Sequence, residues 1–139
     1  MSSVGRELAA QASGEPSLPL SGTRVFVVED EALVLMSLED MLGELGCTVG
    51  GSATRVEAAL EAARDGAFDV ALLDVNVGGR RIDPVAKLIA GRDIPMVFVT
   101  GYDRPSLPAG FQDYALLQKP YALADLQAAL QNALGRRAA

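Results

Sequence analysis

Four polar steps punctuate the sequence, and each follows an apolar run. RVFVV (24–28) leads into Glu29-Asp30, DVALL (69–73) into Asp74, PMVFV (95–99) into Thr100-Gly101, and YALL (114–117) into Gln118-Lys119-Pro120. If the runs are parallel strands, the steps share the carboxyl rim of one sheet, where doubly wound proteins bind their ligands. Acids, a hydroxyl and an ammonium then converge. Close carboxylates repel, and burial makes each harder to ionise. A hard divalent cation such as Mg²⁺ relieves that repulsion through oxygen ligands. With Lys119 it leaves a positive place beside Asp74, suited to a phosphoryl group. Transfer of that group needs positioning and charge stabilisation above all. Asp74 is the candidate nucleophile, giving an aspartyl phosphate.

Each residue alone has a plainer explanation. Glu29 and Asp30 suit a helix N-terminus, Asp74 a turn, Thr100-Gly101 a strand end, and Lys119 a solvated surface. Their joint placement at four strand ends, acids first and lysine last, argues for chemistry.

Composition removes the competitors. The chain has no histidine and one cysteine, Cys47. Serine–histidine and cysteine–histidine catalysis, histidine metal sites and structural zinc are therefore excluded. Cys47 begins an apolar run and reads as a small core residue. The net charge is −6, with basic pairs only at Arg80-Arg81 and Arg136-Arg137, so no nucleic-acid footprint is expected. No apolar run is long enough to span a membrane. MSSVGRELAA lacks the apolar core of an export signal, so the expected compartment is the cytoplasm.

The elements that must position these residues follow from periodicity. With 139 residues, half of them apolar, a single domain is expected. Residues 1–22, with SGEPSLPLSG, read as a flexible tail, and the domain as 23–139 with no output domain after it. Beyond the tail, strand and helix patterns alternate. Helices are expected over 31–45, from Thr54 to Asp65 with a Thr54/Glu57 capping box, from Asp83-Pro84 to Ala90, and over 123–134. Cys47–Gly51 supplies a further strand. This is an α/β, doubly wound, five-stranded parallel sheet of the flavodoxin-like type, order 2-1-3-4-5. The fourth helix should be short or irregular, because Pro105 and Pro108 interrupt 101–113.

VVEDEALV, VALLDVN, VFVTGYD and LLQKPY together resemble the response-regulator receiver family, over nearly all of Arg24 to Leu134. The spacing also resembles the family, with 44 positions from Asp30 to Asp74. The resemblance implies that Asp74 is the phosphoacceptor and that Asp30 binds Mg²⁺ directly. Glu29 would reach the ion through a water, and the backbone carbonyl of Asn76 would be a further ligand. Thr100 and Lys119 would contact phosphoryl oxygens, and a cis Lys119–Pro120 bond would aim the lysine.

The chain departs from many receivers in three places. VNVGGRRIDP replaces a Met-Pro-rich loop, Leu116 stands where a switching Tyr or Phe is common, and prolines break the fourth helix. With Phe98-Val99-Thr100-Gly101-Tyr102, these features are similar to the single-domain "FAT GUY" subfamily, Val99 replacing its alanine. That similarity implies a sensor histidine kinase, of HWE or related type, or a phosphotransfer protein as donor. It also implies output by protein contact or service as a phosphate sink, from a monomer or weak dimer. Without a swinging ring at Leu116, switching should fall to Gly101, Tyr102 and the stretch to Asp113, mobile before phosphorylation and ordered or re-aimed after it.

Two other readings compete. Haloacid-dehalogenase-type phosphatases also place an Asp nucleophile after an apolar strand, but their second acid falls where Asn76 stands, and the chain lacks room for a cap. A pseudo-receiver would bind partners without phosphorylation, but Glu29, Asp30, Asp74, Thr100 and Lys119 are all present.

Overall fold

In the computed structural model the described residues are 19–138. Strands β1 (Arg24–Val28), β2 (Thr48–Ala53) and β3 (Val70–Asp74) alternate with helices α1 (Ala32–Glu44) and α2 (Val56–Asp65). A small hairpin, β4 (Asn76–Val77) and β5 (Arg80–Arg81), precedes α3 (Asp83–Gly91). β6 (Met96–Thr100), a 3-10 turn (Arg104–Ser106), β7 (Ala115–Gln118) and α4 (Leu123–Ala138) complete the order. The main sheet is parallel and ordered β2-β1-β3-β6-β7. This is the expected 2-1-3-4-5 topology, with β6 and β7 as its fourth and fifth strands.

β-branched and aromatic residues build the central strands, and both faces are covered, as parallel sheets require. Every residue of β3 and β6 is buried. Strand alternation divides the core between the two faces. Phe26 and Val28 pack with Val56, Ala59, Val85 and Ile89 of α2 and α3. Val25 and Val27 pack with Leu38, Leu42, Leu126 and Leu130 of α1 and α4. No described helix is long and apolar enough to cross a membrane.

Three local expectations need correction, and one element was not expected. The residue before α2 is Arg55, and neither it nor Thr54 makes a side-chain cap, so the capping box does not form. Glu57 pairs instead with Arg80. Helix α3 begins with Asp83 inside it, after Ile82, and the Asp83 carboxylate turns to Arg81 instead of the helix amides. The β4–β5 hairpin was not anticipated; its Gly78-Gly79 turn has φ of 57° and 82°, the positive values a two-residue hairpin demands. Finally, of the expected tail 1–22, residues 1–18 lie outside the described residues, but Leu20 is buried against Val25, Leu42 and Cys47. Its carbonyl accepts from Thr23 N and from the buried Cys47 thiol, so the packed region begins before Thr23.

The expected irregular fourth helix is the single 3-10 turn, but the stretch around it is anchored. Leu107 and Phe111 are buried, and Phe111 packs edge-on against Phe98 and Tyr114. Arg104 donates to the carbonyls of Gln112 and Tyr114, closing the stretch on itself.

Candidate phosphoryl-acceptor site

The strand ladders continue one residue past the strand ends and fix the rim. Glu29 N donates to Ala53 O, Val75 N to Val99 O, and Lys119 N to Thr100 O, at 2.9–3.1 Å. Glu29, Asp74 and Lys119 are therefore set by backbone bonds to neighbouring strands before their side chains contribute anything. The Lys119–Pro120 peptide is cis, as the resemblance implied.

The side chains converge as the spacing suggested. One carboxylate oxygen each of Glu29, Asp30 and Asp74 lies within 4.8 Å of the others. Glu29 and Asp74 are buried, and Asp30 is exposed. Lys119 Nζ is 3.2 Å from Asp74 Oδ2 and 3.9 Å from Glu29 Oε1. Glu31 N donates to Glu29 Oε2, and Gly78 N to Asp30 Oδ2. The hairpin tip thus orients an acid on the far side of the cleft, a contact the sequence reading missed. Gly-Gly between Val77 and Arg80 was the available signal.

The cleft holds about 400 Å³ and is lined by Asp30, Asp74, Asn76, Thr100, Tyr102 and Lys119, among others. Thr100 is buried at its floor, and its Oγ1 accepts from Tyr102 N at 3.1 Å. Gly101 and Tyr102 belong to the same lining, with the Tyr102 ring largely in solvent. Leu116 is set apart: half-buried, it packs on the α2/α3 side beside Phe98 in the ladder. Arg81 and Ser106 also line the cleft, and sequence reasoning gave neither a place in it. Alternation in a two-residue strand is too short to show which way Arg81 faces.

Electrostatics follow from burial. Burial pushes the Glu29 carboxyl up to about 7, with the Asp74 charge adding to the rise, while the Glu31 amide and Lys119 oppose it. Burial also raises Asp74 above the ordinary aspartate range, against the pull of Lys119. Burial would lower Lys119, but the charges of Asp74 and Glu29 outweigh it and hold the ammonium above its usual value. Tyr121, beyond Pro120, is raised to about 12 by burial and by the Glu29 and Asp74 charges. Three carboxyl groups thus face one ammonium, and burial makes two of them costly to ionise without a further cation. Such an all-oxygen donor set fits a hard divalent cation.

Comparisons with known proteins agree with this geometry. Residues 25–131 match the response regulator receiver domain family. The transcriptional regulatory protein PdtaR of Mycobacterium tuberculosis is 33% identical over 117 residues, 81% of this chain and 57% of that protein. The phyllosphere-induced regulator PhyR of Methylorubrum extorquens is 34% identical over 138 residues, 94% of this chain and 47% of that protein. The chain thus spans about half the length of these curated relatives. The solution structure of SdrG from Sphingomonas melonis Fr1 superposes with a TM-score of 0.72 at 43% identity, covering 81% of this chain and 97% of that one. Family match, relatives and fold together make this chain a member of the response-regulator receiver family, a response regulator of two-component signalling.

Proposed function

We propose that the domain takes a phosphoryl group onto Asp74 from a phosphohistidine donor, a sensor histidine kinase or phosphotransfer protein, with Mg²⁺ as cofactor. The observation that carries this is the Lys119 ammonium 3.2 Å from a buried Asp74 carboxylate inside a three-acid cluster. An Asp74 oxygen attacks phosphorus. The P–N bond to the donor imidazole breaks, its electron pair returns to the imidazole nitrogen, and an O–P bond forms. Lys119 and the Thr100 hydroxyl stabilise charge on the phosphoryl oxygens. Glu29, Asp30, Asp74 and the Asn76 carbonyl are the residues that would hold Mg²⁺, Glu29 through a water. When bound, the ion would supply charge neutralisation for the acids and the incoming group.

The domain works as a switch and not as a turnover enzyme, in the cytoplasm, as a monomer or weak dimer. Its signal leaves by protein contact, or the domain drains phosphate from a shared kinase. An HWE-type kinase is the donor that the Phe98–Tyr102 motif favours, by analogy alone.

Intact-mass measurement after incubation with acetyl phosphate and Mg²⁺ tests this. The wild type should gain one phosphoryl group, whereas Asp74→Asn, and the wild type in EDTA, should gain none. Equal gain by Asp74→Asn rejects the acceptor, and insensitivity to EDTA rejects the metal.

A further inference from the structure

Arg81 lines the cleft with Asp74, Thr100, Ser106 and Lys119, and the transfer step just described leaves it unused. Two contacts hold its guanidinium. Nε donates to Asp83 Oδ1 at 2.9 Å, and Nη2 donates to the Ser106 carbonyl at 3.1 Å. Asp83 is the acid that would otherwise suit a helix cap, so orienting Arg81 displaces an ordinary role. Ser106 ends the 3-10 turn. Its hydroxyl donates to the Asp103 carbonyl at 2.7 Å and lies 3.5 Å from Thr100 Oγ1. One side chain therefore joins the hairpin that follows Asp74 to the turn that follows Thr100.

The two contacts are unequal. Both are charge-assisted through the guanidinium, but the Asp83 carboxylate is itself charged and makes the contact an ion pair as well. The Ser106 carbonyl is neutral. A phosphoryl group brings close to two negative charges and three acceptor oxygens into the same cleft. The planar guanidinium fork suits such an acceptor. The Arg81 side chain is 47% exposed, so it lies at the surface of the cleft and is not enclosed in the core. Ser106 is only half-buried, and a water can replace the lost donor on its carbonyl.

We propose that Arg81 is a latch opened by the phosphoryl group. Pivoting on Asp83, the guanidinium leaves the Ser106 carbonyl for a phosphoryl oxygen and releases the Arg104–Ser106 turn. Thr100 is drawn to the same group, so the floor and the rim of the cleft change together. Arg81 thus positions the turn in the free protein and binds the phosphoryl group afterwards. The latch rests on Asp74 as acceptor.

Beryllofluoride with Mg²⁺, which mimics an aspartyl phosphate, separates the two claims. Amide exchange at Ser106 and Leu107, whose amides donate to Asp103 and Arg104 carbonyls, reports on the turn. In the wild type, beryllofluoride should speed this exchange at least about threefold, because the turn loses a charge-assisted bond. Arg81→Gln should show the faster exchange without beryllofluoride and no further rise with it. It should also bind beryllofluoride more weakly, by about three- to tenfold, the worth of a charged hydrogen bond less the one given up. Arg81→Lys, which keeps the charge, should recover part of that affinity, which a purely structural role would not predict. If the wild type binds beryllofluoride no better than Asp74→Asn, the acceptor assignment falls and the latch with it. If the wild type binds but Arg81→Gln binds equally well, or its free turn exchanges no faster, the latch is overturned and the acceptor assignment stands.

Discussion

Two stretches meet at the cleft and are built in opposite ways. β3 and β6 deliver Asp74 and Thr100 from strands buried at every position and bonded to neighbours on both sides. The stretch 101–113 delivers Gly101, Tyr102 and Ser106 from a chain with one 3-10 turn, anchored by the Leu107 and Phe111 side chains and by arginines 81 and 104. Groups that must hold a reacting oxygen within a fraction of an ångström belong on the first kind of support. A part that must change when the charge changes belongs on the second, where few cooperative bonds resist it. On the proposed function, the chemistry and its readout are thus divided between two kinds of backbone that share one pocket.

The contrast is easiest to break in the core. Leu72→Ala in β3 should cost about 3 kcal/mol, since a fully enclosed site cannot close around the gap. Leu107→Ala, equally buried but carried by the looser stretch, should cost only about half as much, because the surrounding chain can settle into the space. Chemical denaturation measures both. Equal losses would mean that the stretch is as rigid as the strands.

A comparable effect is electrostatic and belongs to the strand-borne cluster. In the folded, metal-free protein Glu29 holds its proton up to about pH 7, whereas unfolding returns it to the ordinary value near 4.5. Between those values the folded state binds more protons than the unfolded, so stability falls as pH rises across the window. The fall should be on the order of 3 kcal/mol. Asp74, also raised, adds to it with the same sign. Glu29→Gln should flatten the profile, and Mg²⁺ should recover more stability at pH 8 than at pH 5. A profile unchanged by Glu29→Gln would place the source elsewhere.

The division also explains what could be read from the sequence. Asp74, Lys119 and the acids were legible because each ends an apolar run, and strand ends fall on one rim whatever the loops do. The looser parts were not. Two-residue strands carry no periodicity, so the β4–β5 hairpin, and with it Arg81, showed only as a Gly-Gly pair and two basic residues. Asp83 matched a cap pattern, but a nearby guanidinium is a stronger partner than a helix amide. Leu20 lies in a Pro-, Ser- and Gly-rich context that reads as linker, and one apolar anchor does not alter that composition. The smallest predicted effect tests this anchor: Leu20→Ala should cost about 1–2 kcal/mol in the same denaturation assay, since a site at the edge relaxes. No loss would return residues 19–22 to the tail.

The most direct test of the central claim is chemical localisation of the phosphoryl group. Borohydride reduces an aspartyl phosphate to homoserine and leaves an unmodified aspartate alone. After treatment with acetyl phosphate and Mg²⁺, reduction and peptide mass spectrometry should find homoserine at position 74 and not at 30 or 69. Homoserine at Asp30, or at no position in a protein that has been shown to take up phosphate, would contradict the assignment of Asp74 as the acceptor.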